Sequence, residues 1–219
     1  MGSPVLDHDG PFTEDDYLRL APPSGHVELV EGTLLVGPQP GPELGAAVAA
    51  VRAALEKALP EGLRVIGAVP LRLGHDCVLV PALAVARIVP EAGRAPEAEG
   101  EPEADAAEEP AGGEETEAAD EPGQDLVDGA DVLIVVDVVD RTHGITQRSF
   151  KPQLYARSRI PYALLVDSAA RVASASMLIG GRHHEFARAG VGGRLVLEDP
   201  YRVEIDLDAL GAEEPAADQ

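Results

Sequence analysis

Apolar residues at Leu44, Val48, Val51, Leu55 and Leu59 recur at steps of three and four, the stripe of a helix that lies on a sheet, and Pro60 with Gly62 end it. The spacing predicts a helix over Pro42–Leu59. A shorter helix is expected from Thr13 to Leu20, because Thr13 reads as an N-cap with Asp16 at the third helical position and Pro22-Pro23 stop the run. Elsewhere the pattern is that of strands. In His26–Val30 and Thr33–Val36, β-branched and apolar residues flank Glu31-Gly32, a hairpin whose tight turn glycine completes. Leu63–Gly67, Val69–Leu73 and Val78–Arg87 follow as strands, separated by Pro70 and by the polar turn Gly74-His75-Asp76. The run Val132-Leu-Ile-Val-Val-Asp-Val-Val139 predicts a central strand, followed by a helix from Pro152 to about Ser158 and a strand over Tyr162–Asp167. From Arg171 to Leu210 the chain reads as three or four antiparallel strands, with turns at Gly180-Gly181, Gly192-Gly193 and Asp199-Pro200. This order implies an α/β protein: a mixed β-sheet flanked by helices.

Charge changes the picture of the middle of the chain. Between Glu91 and Asp128 stand fifteen acidic residues and one arginine, Arg94, so this segment carries −14 of the chain's −22 and leaves −8 for the rest. With almost no branched apolar or aromatic residues it cannot offset the entropy of ordering, and it is expected to be a disordered acidic insertion extended by its own repulsion. The expected layout is an N-terminal tail over 1–12, a folded domain in two parts, 13–90 and 129–210, interrupted by the insertion 91–128, and a C-terminal tail over 211–219. A polyanionic tether could screen a basic cleft or engage a protein partner; as a tolerated loop it would do neither. No apolar run approaches the length of a membrane span, and the amino terminus lacks a basic-then-apolar pattern, so the expectation is a cytoplasmic protein with no membrane partner. Cys77 is the single cysteine, which excludes an intrachain disulfide; its apolar neighbours suggest a packed thiol.

Candidate chemistry begins at Asp137. A carboxylate inside an apolar strand is costly unless it is paired or bound to a cation. Lys151, fourteen residues on, is its natural partner: it precedes Pro152, which pushes it extended and lets its side chain point off the start of the helix. Arg148, Arg157 and Arg159 are expected either to contact phosphates or to form a solvated helix face. His183 and His184 would point to opposite faces of a strand and cannot grip one metal together, so both are read as surface histidines, and His143 is a candidate for a polar role near the site. The glycine pairs lack the strand-to-helix context of a phosphate cradle.

Glu28-Leu-Val-Glu-Gly32, Val80-Pro-Ala-Leu-Ala84, Val135-Val-Asp-Val138, Arg148-Ser-Phe-Lys-Pro-Gln-Leu-Tyr155 and Ile160-Pro-Tyr-Ala-Leu-Leu-Val-Asp167 together resemble the Uma2 family of restriction-endonuclease-like proteins. The resemblance runs from about Thr13 to Leu210 with the acidic insertion left out. It implies a PD-(D/E)XK nuclease core, in which a divalent metal, Mg2+ or Mn2+, is held by carboxylates and activates water against a DNA phosphodiester while a lysine assists. Such an ion takes hard oxygen ligands, lowers the pKa of its water and neutralises charge growing on the phosphate. By the resemblance, the family's second acid falls on Asp137 as catalytic residue and metal ligand, its lysine on Lys151 and its hairpin glutamate on Glu28. The acid of its Pro-Asp pair falls on Ala82.

Alanine offers no ligand atom, and aspartate at 137 is one methylene shorter than the usual glutamate. Asp76, six residues before Ala82, would sit about 20 Å away on a continuous strand at about 3.3 Å per residue, and Asp140 would face away from Asp137. The expected function is a metal-dependent DNA endonuclease with an eroded active site. The alternative is an inactive pseudo-nuclease that serves as a protein- or nucleic-acid-binding module. Expected partners are DNA, a second copy of the chain in a homodimer, and a protein for the acidic insertion.

Overall fold

A computed structural model describes residues 10–20, 26–37, 41–88, 126–141 and 146–211. The acidic segment up to residue 125 and His143 lie outside the described residues. The Asp16 N–H donates to Thr13 Oγ1 at 3.3 Å and the Thr13 N–H to Asp16 Oδ2 at 2.9 Å, so helix α1 (Glu14–Leu18) starts from a reciprocal capping box. Its Glu14 carboxylate receives the Arg72 guanidinium in a two-pronged pairing that fastens the helix to strand β4 (Leu71–Gly74). The hairpin β1 (His26–Val30) and β2 (Thr33–Gly37) turns through Glu31 and Gly32, both at positive φ, as a two-residue hairpin loop requires. Gly32 is needed here for a second reason: an added Cβ would lie 2.6 Å from the Pro11 side chain.

Among the described residues the strands form two large sheets and one small one. The first has order β2-β1-β5-β4-β7, with β5 at Cys77–Leu79 and β7 at Val127–Asp128. The second has order β11-β10-β9-β8-β6-β3: β3 is Leu63–Gly67, β6 Leu83–Arg87, β8 Val132–Val139, β9 Tyr162–Asp167, β10 Val172–Ile179 and β11 Arg182–Ala189. Strands β12 (Arg194–Leu197) and β13 (Val203–Asp206) make a separate hairpin. Only β8–β9 and β4–β7 are parallel pairs among them. The β8–β9 crossover contains helix α3 (Lys151–Arg157), entered through a π-turn over Thr146–Phe150.

The helix α2 (Pro42–Lys57) lays Leu44, Ala47, Val51 and Leu55 on one face of the second sheet, against Leu83, Val85, Ile134, Val136 and Val138. Strands β12 and β13 extend that cluster with Leu195, Leu197, Val203 and Ile205. The alternate residues Ala84, Ala86 and Val135, with Val132 turned by a bulge in β8, face the other way, toward Leu154 and Tyr155 of α3 and toward Leu71 and Leu79 of the first sheet. The second sheet is therefore buried on both faces, which is why β8 reads as an unbroken apolar run.

The strand expected over Val78–Arg87 is two strands. The chain leaves the first sheet after Leu79 and joins the second at Leu83, with Val80-Pro81-Ala82 as the switch. Pro81 has no N–H to give a ladder, so a central strand cannot run through it. Strand β4 starts at Leu71, later than expected, for the same reason at Pro70. Leu126–Asp128, counted with the acidic segment from composition, belongs to the fold: Val127 and Asp128 pair with Leu71 and Arg72. Helix α3 begins one residue early, at Lys151. Among the described residues no helix is long and apolar enough to cross a membrane.

Candidate active site at the seam between the sheets

The switch at Val80 carries the chain from one sheet to the other, and three charged side chains from different elements meet there. Glu28 comes from β1 in the first sheet, Asp137 from β8 in the second and Lys151 from the start of α3; they are 3 %, 6 % and 1 % exposed. Lys151 Nζ lies 2.8 Å from Glu28 Oε1, 3.0 Å from Asp137 Oδ1 and 3.2 Å from the Val80 carbonyl oxygen. An ammonium has three N–H donors, and these three acceptors use all of them. The Val80 N–H donates in turn to Glu28 Oε1 at 2.8 Å. Because Val80 stands where neither sheet claims its backbone, both its polar groups are available to the cluster.

Tyr155 follows Lys151 by one helical turn, and its ring centroid lies 6.0 Å from Nζ. Its hydroxyl is buried and interacts with the Asp137 carboxylate, although no acceptor meets full hydrogen-bond geometry. Burial, and then the Asp137 and Glu28 charges, hold the phenol well above its usual range. Two acids against one base leave an odd proton in a water-poor site. Burial pushes the Asp137 carboxyl up despite the pull of Lys151. Burial alone would lower Lys151, but the carboxylates of Asp137 and Glu28 outweigh it and keep the ammonium protonated.

Ala82 lies one step beyond the β6–β8 ladder. The register pairs Leu83 with Val136 and Ala84 with Val135, so its continuation sets Ala82 opposite Asp137. Cross-strand partners share a face with Cβ atoms about 5 Å apart. On that continuation a carboxylate at 82 would share the face of Asp137; Ala82 itself sits in the bend before β6, packed against the α2-side cluster, and its methyl group supplies no oxygen.

The seam offers a hard divalent cation two carboxylates, Glu28 and Asp137, so water and a phosphate would have to supply most of its about six oxygens. Among the described residues no group of three His, Cys, Asp or Glu side chains converges, and the position between Glu28 and Asp137 is filled by the Lys151 ammonium. Neither substitute acid is placed to help. Asp76 sits in the β4–β5 turn beside His75, and the Asp140 carbonyl accepts from Arg148 at 3.0 Å beyond the end of β8.

The other expected residues divide. Arg148 donates to Asp167 Oδ2 at 2.7 Å and Arg157 to Glu31 Oε1 at 2.6 Å, so both are engaged by the protein's own carboxylates. Arg159 is exposed at positive φ after α3. His184 is exposed as expected, but His183 is half-buried: its ring nitrogens lie 3.2 Å from the Pro152 carbonyl and 2.9 Å from that of Ile160. The strand alternation that separates the two histidines is what turns His183 inward. Sequence reasoning assigned no role to Tyr155 or Val80. The Lys151-x-x-x-Tyr155 spacing was the available signal for the first; the second acts through its backbone and leaves none.

Comparison with known proteins agrees with this architecture. A putative nuclease of the DUF820 group from Anabaena variabilis ATCC 29413, known from a crystal structure, superposes with a TM-score of 0.55 at 14% identity, covering 80% of this chain and 84% of its own. That likeness is one of fold. No curated protein matches the sequence. The pattern of the Uma2 family, described as "Putative restriction endonuclease", matches residues 14–185, more than half of the chain. With the nuclease-like fold, and with Glu28, Asp137 and Lys151 gathered at one seam, the chain belongs to the Uma2 family.

Proposed function

We propose that this chain is an eroded endonuclease: a nuclease-fold domain of the kind that hydrolyses DNA phosphodiester bonds, in which an internal ammonium stands in the place of the divalent cation. The observation that carries the reading is the threefold engagement of Lys151 by Glu28, Asp137 and Val80. A lysine that assists hydrolysis must offer an N–H to the attacking water or to the phosphate. Here every N–H is already given to the protein, and both acids are engaged by the one ammonium. Ala82 removes the carboxylate that the ladder's continuation would set on the face of Asp137 to compete for a metal. Arg148 is held against the half-buried Asp167, which leaves it a poor contact for phosphate, while Arg157 pairs with Glu31 at the surface. On this reading the domain works as a non-hydrolytic binding module, and its acidic insertion selects a protein partner.

A second reading, retained cleavage with Asp137 as metal ligand and Lys151 and Glu28 assisting, is favoured by the convergence of those residues in a chain of this family. It requires the ammonium to leave both carboxylates. Supercoiled DNA incubated with the protein in Mg2+ or Mn2+, beside Asp137→Ala and Ala82→Asp, separates the two. Erosion predicts no metal-dependent nicking by the natural sequence, and at least about tenfold tighter Mn2+ binding by Ala82→Asp in calorimetry, since a hard cation gains a ligand opposite Asp137. Nicking by the natural sequence that Asp137→Ala abolishes would establish the second reading instead.

A further inference from the structure

We propose that His183 is a proton-operated clamp on α3, the helix that carries Lys151. Its Nδ1 lies 3.2 Å from the Pro152 carbonyl oxygen and its Nε2 2.9 Å from the Ile160 carbonyl oxygen. Both partners can only accept. A neutral imidazole has one N–H, so it can bond one carbonyl while its other nitrogen turns a lone pair toward the second; the doubly protonated ring donates to both. The two carbonyls bracket α3, Pro152 next to Lys151 at its start and Ile160 just past its end. On losing a proton the ring keeps the shorter contact to Ile160 and releases Pro152, so the loosened end is the one that sets Lys151 over Glu28 and Asp137. The clamp holds whether or not the domain cleaves DNA, because it rests on backbone contacts outside the charged cluster.

The charged and titratable groups on the elements around the ring are accounted for. On α3 and the turn after it these are Lys151, held by Glu28 and Asp137, Tyr155, buried beside Asp137, Arg157, held by Glu31, and Arg159. Strand β11 itself carries Arg182, His184 and the pair Glu185–Arg188. Strand β10, whose Leu178 lies opposite His183, has no titratable side chain, and β9 offers Tyr162 and Asp167, the latter held by Arg148. The ring's polar contacts among the described residues are the two carbonyls.

Imidazole nitrogen resonances of the full chain test this, with His184→Gln used for assignment, followed from about pH 5 to 8 together with the amide protection of Leu154, Tyr155 and Ala156. The clamp predicts N–H signals from both His183 nitrogens at the acidic end. As the ring titrates, the proton facing Pro152 is lost, the one facing Ile160 is kept, and helix protection factors fall about tenfold at the same midpoint. A single neutral tautomer at the acidic end, or protection that stays flat through the ring's titration, overturns it. His183→Gln carries both its N–H donors on one nitrogen, with an acceptor oxygen in place of the second donor, so it does not reproduce the two-sided donation and should show the low protection at every pH; a variant with the natural pH dependence also overturns the proposal.

Discussion

Replacing Lys151 by methionine keeps most of the side-chain volume and removes the one cation between Glu28 and Asp137. Removing one partner of a buried ion pair costs about 3–5 kcal/mol, because the charge left behind has neither water nor counter-ion. For a folded part of this size, about 2–4 °C is lost per kcal/mol, so the melting temperature should fall by about 10 °C near neutral pH. The loss should depend on pH in a defined sense. In the variant both carboxyls are buried without their cation, so their folded-state pKa values rise above the unfolded ones. A group whose pKa is raised on folding contributes its stability in full below the unfolded value and loses it as pH rises through the folded value. The gap to the natural protein should therefore be smallest in acid and widen toward pH 8. The natural protein shows a weaker form of the same slope, since burial already pushes Asp137 up. Neutralising the whole cluster, Glu28→Gln with Asp137→Asn and Lys151→Met, should recover most of the loss, because a buried ion triad can be exchanged for neutral groups at little net cost. Urea unfolding at pH 5 and pH 8 measures all three proteins. A Lys151→Met variant within about 1 kcal/mol of the natural protein at pH 8, below the range expected for a broken buried pair, would refute the reasoning.

Three further outcomes follow from the packing. Leu55→Ala, at a fully buried position between α2 and the second sheet, should cost about 2–5 kcal/mol in urea unfolding. Cys77 is pushed up to about 11, by burial first and then by Asp76, so it should resist a thiol reagent at pH 8 in the folded protein and react at the unfolded rate once denatured. Tyr155→Phe removes a buried hydroxyl that has no well-aligned partner and should change stability by less than about 1 kcal/mol, whereas a loss above about 2 kcal/mol would show a hydrogen bond to Asp137 stronger than the geometry gives.

How far the sequence discloses this molecule depends on where each signal resides. Strands β1, β3, β8 and β9 begin and end where hydrophobic pattern and turn residues put them, because their register and burial are set locally. Helix α2 likewise begins at Pro42 and shows the expected apolar stripe, which needs no partner to be recognised, but it ends at Lys57, two residues before Leu59. The strand expected over Val78–Arg87 fails because its residues are uniformly apolar in both sheets; what divides them is the missing N–H of Pro81, a single backbone atom inside an otherwise suitable run. The two-residue β7 is too short for any periodic signal. At the site, the pairing of Asp137 with Lys151 could be argued from the cost of a lone buried charge, and Glu28 entered by resemblance. The Val80 backbone, which bonds both Lys151 and Glu28, is free to do so only because the chain changes sheets there.

That change of sheets also explains why Ala82 and the buried lysine belong together. On the ladder's continuation a carboxylate at 82 would share the face of Asp137, giving three acids around one ammonium in a seam that excludes water, and like charges at such distances repel by several kcal/mol unless one takes up a proton or a divalent cation enters. With alanine the count is two acids to one base, a single proton from neutrality, and burial already moves Asp137 toward holding it. On the eroded-site reading, alanine at 82 lowers the electrostatic cost of keeping the seam closed on its own lysine and leaves a metal one ligand short there. The absent carboxylate and the saturated ammonium are two sides of one charge balance, so reversing the first by Ala82→Asp should loosen the second: in chelator the variant should be less stable than the natural protein, and Mn2+ should restore it in proportion to the affinity gained.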